Sequence, residues 1–530
     1  MRKLIPFIFL LLLSGYARGE GNSRRNDNVD ILRYVFRLTL SDNYDTISAQ
    51  ATITLRLLAL TDSVGFDLRS RRSDGKGMKV SSVTLGSGRT SWVHRNDRVT
   101  IPLSSLRTAG EEMTVTIAYS GVPADGLVIS TTRFGKRSFF ADHWPDRASH
   151  YLPCVDHPSD KAAVEFIITA PEHYSVVSNG SLVEEKSLPE GMKTTHWRED
   201  VPIPLKVTTF GAADFAISKA GEVAGVPVWT YVYPENRNEG FADYALAVHP
   251  MQYYSDLIGP YPYPKLANVQ SKTMFGGLEN AGAIFYSESS VTGTGRSEGL
   301  IAHEIAHQWF GNSVTEADWH HIWLSEGFAT YLTSMYWEMK EGPTRMKSEM
   351  RSARERVLRA SERNPAPVID TTITDLMRLL SANSYQKGAW VLHMLRNRIG
   401  DEAFTAGLRL YYTRYNNSNA LTSDFMSVME EVSGQRLGDF FHQWLYVPGQ
   451  PDIKISWIVL ADGRIEITVN QMQDHIFKFP LELEIVCDSG SRRVSEVIES
   501  RSVRLMSELP GKPVEIIPDP DVRLLFREAK

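Results

Sequence analysis

The chain has 530 residues, 42% of them hydrophobic and 23% charged, with a formal net charge of −6. Such values exclude wholesale disorder and a polytopic membrane protein. At roughly 100–200 residues per domain, the length calls for two to four domains. The acidic balance argues against a nucleic-acid binder, which carries excess positive charge on its contact face.

Residues 1–19 read as an export leader. Arg2 and Lys3 precede the apolar run Leu4 to Leu13, and Ala17-Arg18-Gly19 fits a small-x-small cleavage pattern. The run is shorter than the ~20 residues that cross a hydrocarbon core. The expectation is a cleaved signal peptide, a mature chain exported to the periplasm or secreted, and no stable membrane insertion. Cys154 and Cys487 are the only cysteines; each reads as a buried free thiol rather than part of a disulfide framework.

From residue 30, apolar and polar residues alternate. Tyr34, Phe36, Leu38 and Leu40 form one face, Ala51, Ile53, Leu55 and Leu57 another, and Met113, Val115, Ile117 and Tyr119 a third. Period-two patterning broken by Gly, Asp and Ser predicts a large antiparallel β domain over 20–225. The basic stretch Arg69 to Lys79 reads as a solvated loop. From about 240 the period becomes helical, predicting helices over 241–258 (interrupted by Pro250), 300–310, 322–339, 344–361, 386–399, 402–414 and 423–433. The basic face of Lys347 to Arg363 reads as solvated. This mainly α region, 226–449, ends at Pro448-Gly449-Gln450-Pro451. Alternation then returns in Ile453, Ile455, Trp457 and Val459, in Ile465, Ile467 and Val469, and in Leu481, Leu483 and Ile485, predicting a small β-sandwich over 450–530. The fold class is multidomain α+β.

The segment that carries chemistry is His303-Glu304-Ile305-Ala306-His307. Residues four apart share one helix face, so both imidazoles can hold one metal, with Glu304 beside them to take a proton from an activated water. A catalytic zinc takes three protein ligands and keeps a fourth position open. The next helix offers Glu326 in Trp323-Leu324-Ser325-Glu326-Gly327, where a buried carboxylate needs a cation to offset its desolvation. His320 and His321 are adjacent, point in different directions, and are left as packing or surface residues.

These motifs resemble the zinc aminopeptidase family that includes aminopeptidase N and leukotriene hydrolase, and three further segments agree. Gly276-Gly277-Leu278-Glu279-Asn280 is similar to its Gly-x-Met-Glu-Asn exopeptidase motif. Tyr385-Gln386-Lys387-Gly388 resembles the segment with its catalytic tyrosine. Leu152-Pro153-Cys154-Val155-Asp156, with Lys161, resembles its Pro-Cys-x-Asp signature. The likeness runs from about residue 30 to the end.

The resemblance implies an N-terminal β saddle, a thermolysin-like catalytic domain under it and a C-terminal β-sandwich. It implies one Zn2+ per chain on His303, His307 and Glu326, with Glu304 as general base and Tyr385 as hydrogen-bond donor to the oxyanion. Glu279 is expected to bind the free α-ammonium of a peptide, and Gly276 and Gly277 to let the peptide backbone approach. The partners are therefore peptides with a free N-terminus, and not nucleic acid. Two departures stand out: Leu278 replaces the usual Met, and Phe140-Ala141-Asp142-His143-Trp144-Pro145 offers no Gln or Glu as second ammonium ligand. Asp142 substituting, or Trp144 occupying the spot, are both open. The chain stops after the 450–530 segment, so the long helical domain of larger members is expected to be absent and the cleft more open. Rival readings are a non-catalytic peptide-binding protein on the same scaffold, a metalloendopeptidase, and a secondary epoxide-opening activity. The preferred N-terminal residue and the oligomeric state, monomer to dimer, are left open.

Overall fold

A computed structural model describes residues 26–529; the expected leader lies outside the described residues. The alternating faces pack as their pattern dictates. Tyr34, Phe36, Leu38 and Leu40 are buried, as are Ala51, Ile53, Leu55 and Leu57. They lie in an eight-stranded sheet whose middle strands are Lys161–Pro171, Val29–Thr39, Ile47–Leu57 and Glu112–Val122. The pairing is antiparallel except where Val29–Thr39 runs parallel to Lys161–Pro171, with Phe36 opposite Phe166. The long stretch between these two strands supplies the crossover that a parallel pair requires. The basic stretch 69–79 is only partly loop, since strand Gly77–Leu85 begins inside it. Gly77 has φ +97°, and a Cβ there would meet the Ser70 carbonyl oxygen at 2.3 Å.

The mainly α region contains more sheet than helical periodicity reveals. Ala216–Val223 and Val226–Val232 form a hairpin that continues through parallel strands Leu266–Ser271 and Ala283–Ser287 to Gly277–Leu278. The division expected between 225 and 226 thus falls inside this hairpin, and the sheets themselves part between Ala213 and Ala216. Helices follow close to the expected ranges. Pro250 does not interrupt a helix midway: Arg237–Ala245 ends first, and Pro250 is the third residue of Val248–Leu257, where no amide donor is needed.

Residues 452–528 form two facing sheets of four and three strands. Ile453, Ile465, Ile467, Val469, Leu481, Leu483 and Ile485 are buried between them, in one core continuous with the preceding helices. The expected face of Asp452–Val459 is only partly covered, because burial fades from Ile453 to exposed Trp457 and Val459. Both cysteines are free and buried. Among the described residues, no helix is long and apolar enough to cross a membrane.

Buried polar links tie the N-terminal β region to the floor of the site. Lys161 donates to the carbonyls of Asn312 (3.1 Å) and Ser313 (2.7 Å). Lys265 donates to those of Ser178 (2.7 Å) and Gly282 (3.1 Å). Lys206 pairs with Glu316, both side chains being fully buried.

Candidate metal centre and peptide cleft

The helix Glu298–Ala306 carries His303 and Glu304 and ends at His307, which caps it. The helix Trp323–Glu341 packs against it and brings Glu326 to the same point. His303 Nε2 and His307 Nε2 lie 3.2 Å apart, and Glu326 Oε2 is 3.5 and 3.3 Å from them. These three residues form a possible metal-binding group among the described residues. Glu326 Oε2 is buried yet accepts no hydrogen bond, and an acceptor so placed is costly unless a cation fills the gap. Two imidazoles and one carboxylate make a donor set suited to zinc with one position open.

The shell behind the histidines fixes their orientation. His307 Nδ1 faces Ser325 Oγ at 3.0 Å and the Phe310 carbonyl at 3.3 Å. Gly311 makes this possible: its φ is +124°, and a Cβ there would stand 2.3 Å from Ser325 Oγ and 3.0 Å from His307 Nδ1. Tyr385 lies in the π turn Asn383–Lys387, and its ring stacks on His303 with centroids 6.0 Å apart. Gly388, just after that turn, faces Gly327 just after Glu326. A Cβ on Gly327 would meet Gly388 Cα at 2.9 Å, so two bare glycines let the tyrosine turn close on the Glu326 helix.

Electrostatics reflect three buried carboxylates sharing one cavity with two imidazoles. Burial works to raise the Glu326 carboxyl, but His307 and His303 override it and hold it well below the usual range. Burial works to lower His307, yet Glu326, Glu279 and Glu304 push it up to about 9. Burial raises Glu304 well above the ordinary carboxyl value, His307 opposing and Glu279 and Glu326 adding to it. Burial also raises the Tyr385 phenol, with the same three carboxylates adding. Negative charge is in excess here, as a site built around a divalent cation requires.

Glu279 lines the same cavity, buried, with Oε1 accepting no hydrogen bond. Its backbone is pinned, because its carbonyl accepts from Gln308 Nε2 at 2.8 Å and Asn312 Nδ2 at 2.6 Å. These two residues follow His307 closely in sequence, and sequence reasoning passed over both. Gly277 packs against Glu304: a Cβ there would lie 2.3 Å from its Oε1, whereas one on Gly276 would find nothing nearer than Leu300 at 3.9 Å. All eight expected site residues therefore converge on one place, lining one or both of its two adjoining cavities.

His320 and His321 lie apart from the metal group. The first is held by Asp318 at 2.7 Å and the Ile373 carbonyl at 3.0 Å, and the second by Thr422 at 2.8 Å. Asp142 is already engaged, since it pairs with Arg147 and accepts from Thr273 Oγ1 at 3.0 Å. Trp144, with Phe275, Leu278 and Leu380, lines the cavity instead.

Family comparison agrees with this geometry. Residues 31–205 match the peptidase M1 N-terminal domain and 238–444 the peptidase family M1 domain. Human glutamyl aminopeptidase is 30% identical over 336 residues, 60% of this chain and 35% of that protein. The bovine glutamyl aminopeptidase is 30% identical over 334 residues, 59% of this chain and 34% of that protein. A probable aminopeptidase 2 of the archaeon Sulfurisphaera tokodaii is 27% identical over 488 residues, 86% of this chain and 58% of that protein. The chain thus spans about a third of the length of the glutamyl aminopeptidases it matches. The two matched regions together cover most of the chain, and the chain belongs to peptidase family M1.

Proposed function

We propose that the protein is a zinc-dependent aminopeptidase that hydrolyses single residues from the N-termini of peptides. The observation that carries this reading is Glu279 Oε1, a buried acceptor without a partner, in the cavity that also holds the His303, His307 and Glu326 cluster. A carboxylate so placed suits a peptide's free ammonium and makes binding depend on that terminus being charged. His303, His307 and Glu326 would hold the zinc, which when bound lowers the pKa of water towards ~7 and polarises the scissile carbonyl. Glu304 takes the proton of the attacking water and passes it to the leaving amine. The Tyr385 hydroxyl donates to the oxyanion, a contribution on the order of 10²–10³ in rate for such donors.

The commitment of Asp142 to Arg147 leaves Glu279 as the carboxylate facing the amine, which gives an endopeptidase reading its one support. Cleavage of an alanine-led peptide with its amine free, beside the same peptide acetylated, separates the two. Each is run with and without a chelator and followed by mass spectrometry. Chelator-sensitive loss of single residues from the free peptide alone is expected. Internal cuts in both would mean an endopeptidase, and no cutting with zinc bound would mean a binding protein. Glu304→Gln is expected to keep zinc and lose at least about 10³ in rate; comparable activity would remove Glu304 from the mechanism. The leader pattern of residues 1–19 supports export, to the periplasm or beyond.

A further inference from the structure

The site opens into a second cavity of about 410 Å³ that shares His303, Glu304 and Tyr385 with it. Two helix faces wall this cleft. The Glu326 helix contributes Thr330, Thr333 and Ser334, and the next helix, Pro343–Arg363, contributes Glu349, Ser352 and Arg356. Both sets follow the three-and-four spacing of a single face. The hydroxyls leave the floor neutral. Glu349 is neutralised by Arg345 at 2.8 Å. Near Arg356 along the helix, Arg354 is engaged by Asp519 and Arg359 by Glu355. Arg356 has neither an ion pair nor a side-chain hydrogen bond with another described residue, and it is the one guanidinium lining the cleft.

The lining residues order the charges: unpartnered Glu279 in the first cavity only, Glu304 shared by both, and the Arg356 guanidinium in the second only. Resting on the aminopeptidase reading, we infer that Arg356 binds a carboxylate on the leaving-group side of the substrate, the C-terminal carboxylate of a short peptide. A peptide bearing an ammonium at one end and a carboxylate at the other matches this order of charges. A guanidinium fixed on one wall favours one peptide length, which a length series locates.

The test uses alanine-led peptides of two to six residues, each as free acid and as C-terminal amide, with the wild type and Arg356→Gln. A further arm uses an amide carrying an internal glutamate. Free acids of the favoured length are expected to exceed their amides about three- to tenfold in kcat/KM, as an accessible charge-assisted hydrogen bond allows. That ratio is expected to fall to near one in Arg356→Gln. A faster glutamate-containing amide in the wild type alone would support the same site with a side chain as the carboxylate. Equal rates for acids and amides at every length, or an acid preference that survives Arg356→Gln, would overturn the inference. An amino-acid arylamide has no carboxylate and reports the chemistry alone. Its cleavage by wild type without any acid preference would sink the Arg356 site and leave the aminopeptidase reading standing; failure to cleave it would sink that reading too.

Discussion

Gly277→Ala is the sharpest probe of how the cleft is built, because the structure offers a different reason for that glycine than its motif does. The motif implies room for a substrate backbone. The coordinates put Glu304 there, with Oε1, Cδ and Cγ at 2.3, 2.5 and 2.6 Å from the position of an added Cβ. Ordinary carbon contacts lie near 3.5–4.0 Å, so the carboxylate must withdraw by about 1 Å. A misplacement of that size in a reacting group costs about 10² in rate, or about 2.7 kcal/mol of transition-state stabilisation. Gly277→Ala is therefore expected to lose about 10²-fold in kcat on an alanine arylamide, with KM nearly unchanged. Gly276→Ala, whose Cβ meets Leu300 at 3.9 Å, should stay within about twofold of wild type, as volume-tolerant sites do. Zinc content and melting temperature should match wild type in both, since Glu304 is not among the three clustered ligands. If the effect runs through Glu304, adding Gly277→Ala to Glu304→Gln should cost little more, as for coupled neighbours. A rise in KM at constant kcat, or a full further loss in the double variant, would refute the argument and return the glycine to the substrate.

Gly311→Ala should weaken zinc binding about 10- to 100-fold through the displaced Ser325–His307 contact; competition with a chromophoric chelator reads this without reference to activity, and unchanged affinity would remove Ser325 from a supporting role. Lys206→Met leaves Glu316 buried and unpaired, so urea unfolding should show a loss of about 3–5 kcal/mol, largely regained when Glu316→Leu is added. Asp243 accepts from the amides of Thr292, Gly293 and Gly295 at 2.5, 2.8 and 2.9 Å; burial works to raise its carboxyl, but these amides override it and hold it below 3.8. A depressed folded pKa stabilises above the unfolded value and fades as pH falls through the folded one. The melting-temperature gap between wild type and Asp243→Asn should therefore be flat from neutral pH down to about 4 and close below it, while a gap that widened on acidification would refute the assignment.

What the sequence disclosed and what it withheld divide along the range of the interactions concerned. His303, Glu304 and His307 were legible because their relation is local, a spacing of four on one helix. Glu326 followed because a carboxylate among Trp, Leu and Phe announces a partner. The outer strands were legible because a half-covered strand alternates. The sheet beneath the site was not, since Leu266–Ser271 is buried at every position and a strand covered on both faces loses its period. The hairpin 216–232 does alternate in part, and so read as more of the preceding domain; only its pairing with Leu266–Ser271 assigns it to the catalytic sheet. The glycines show the same division. Gly276 and Gly277 are indistinguishable in a motif, yet one meets only Leu300 at 3.9 Å and the other abuts the Glu304 carboxylate, a difference created by a helix some twenty-five residues further along the chain. Gly327 and Gly388 each lie beside a recognised residue, but their mutual contact exists only after folding. It brings Tyr385 against the helix of Glu326. A motif can therefore identify the groups that react, while the packing of bare backbone that aims them at one another is a property of the fold.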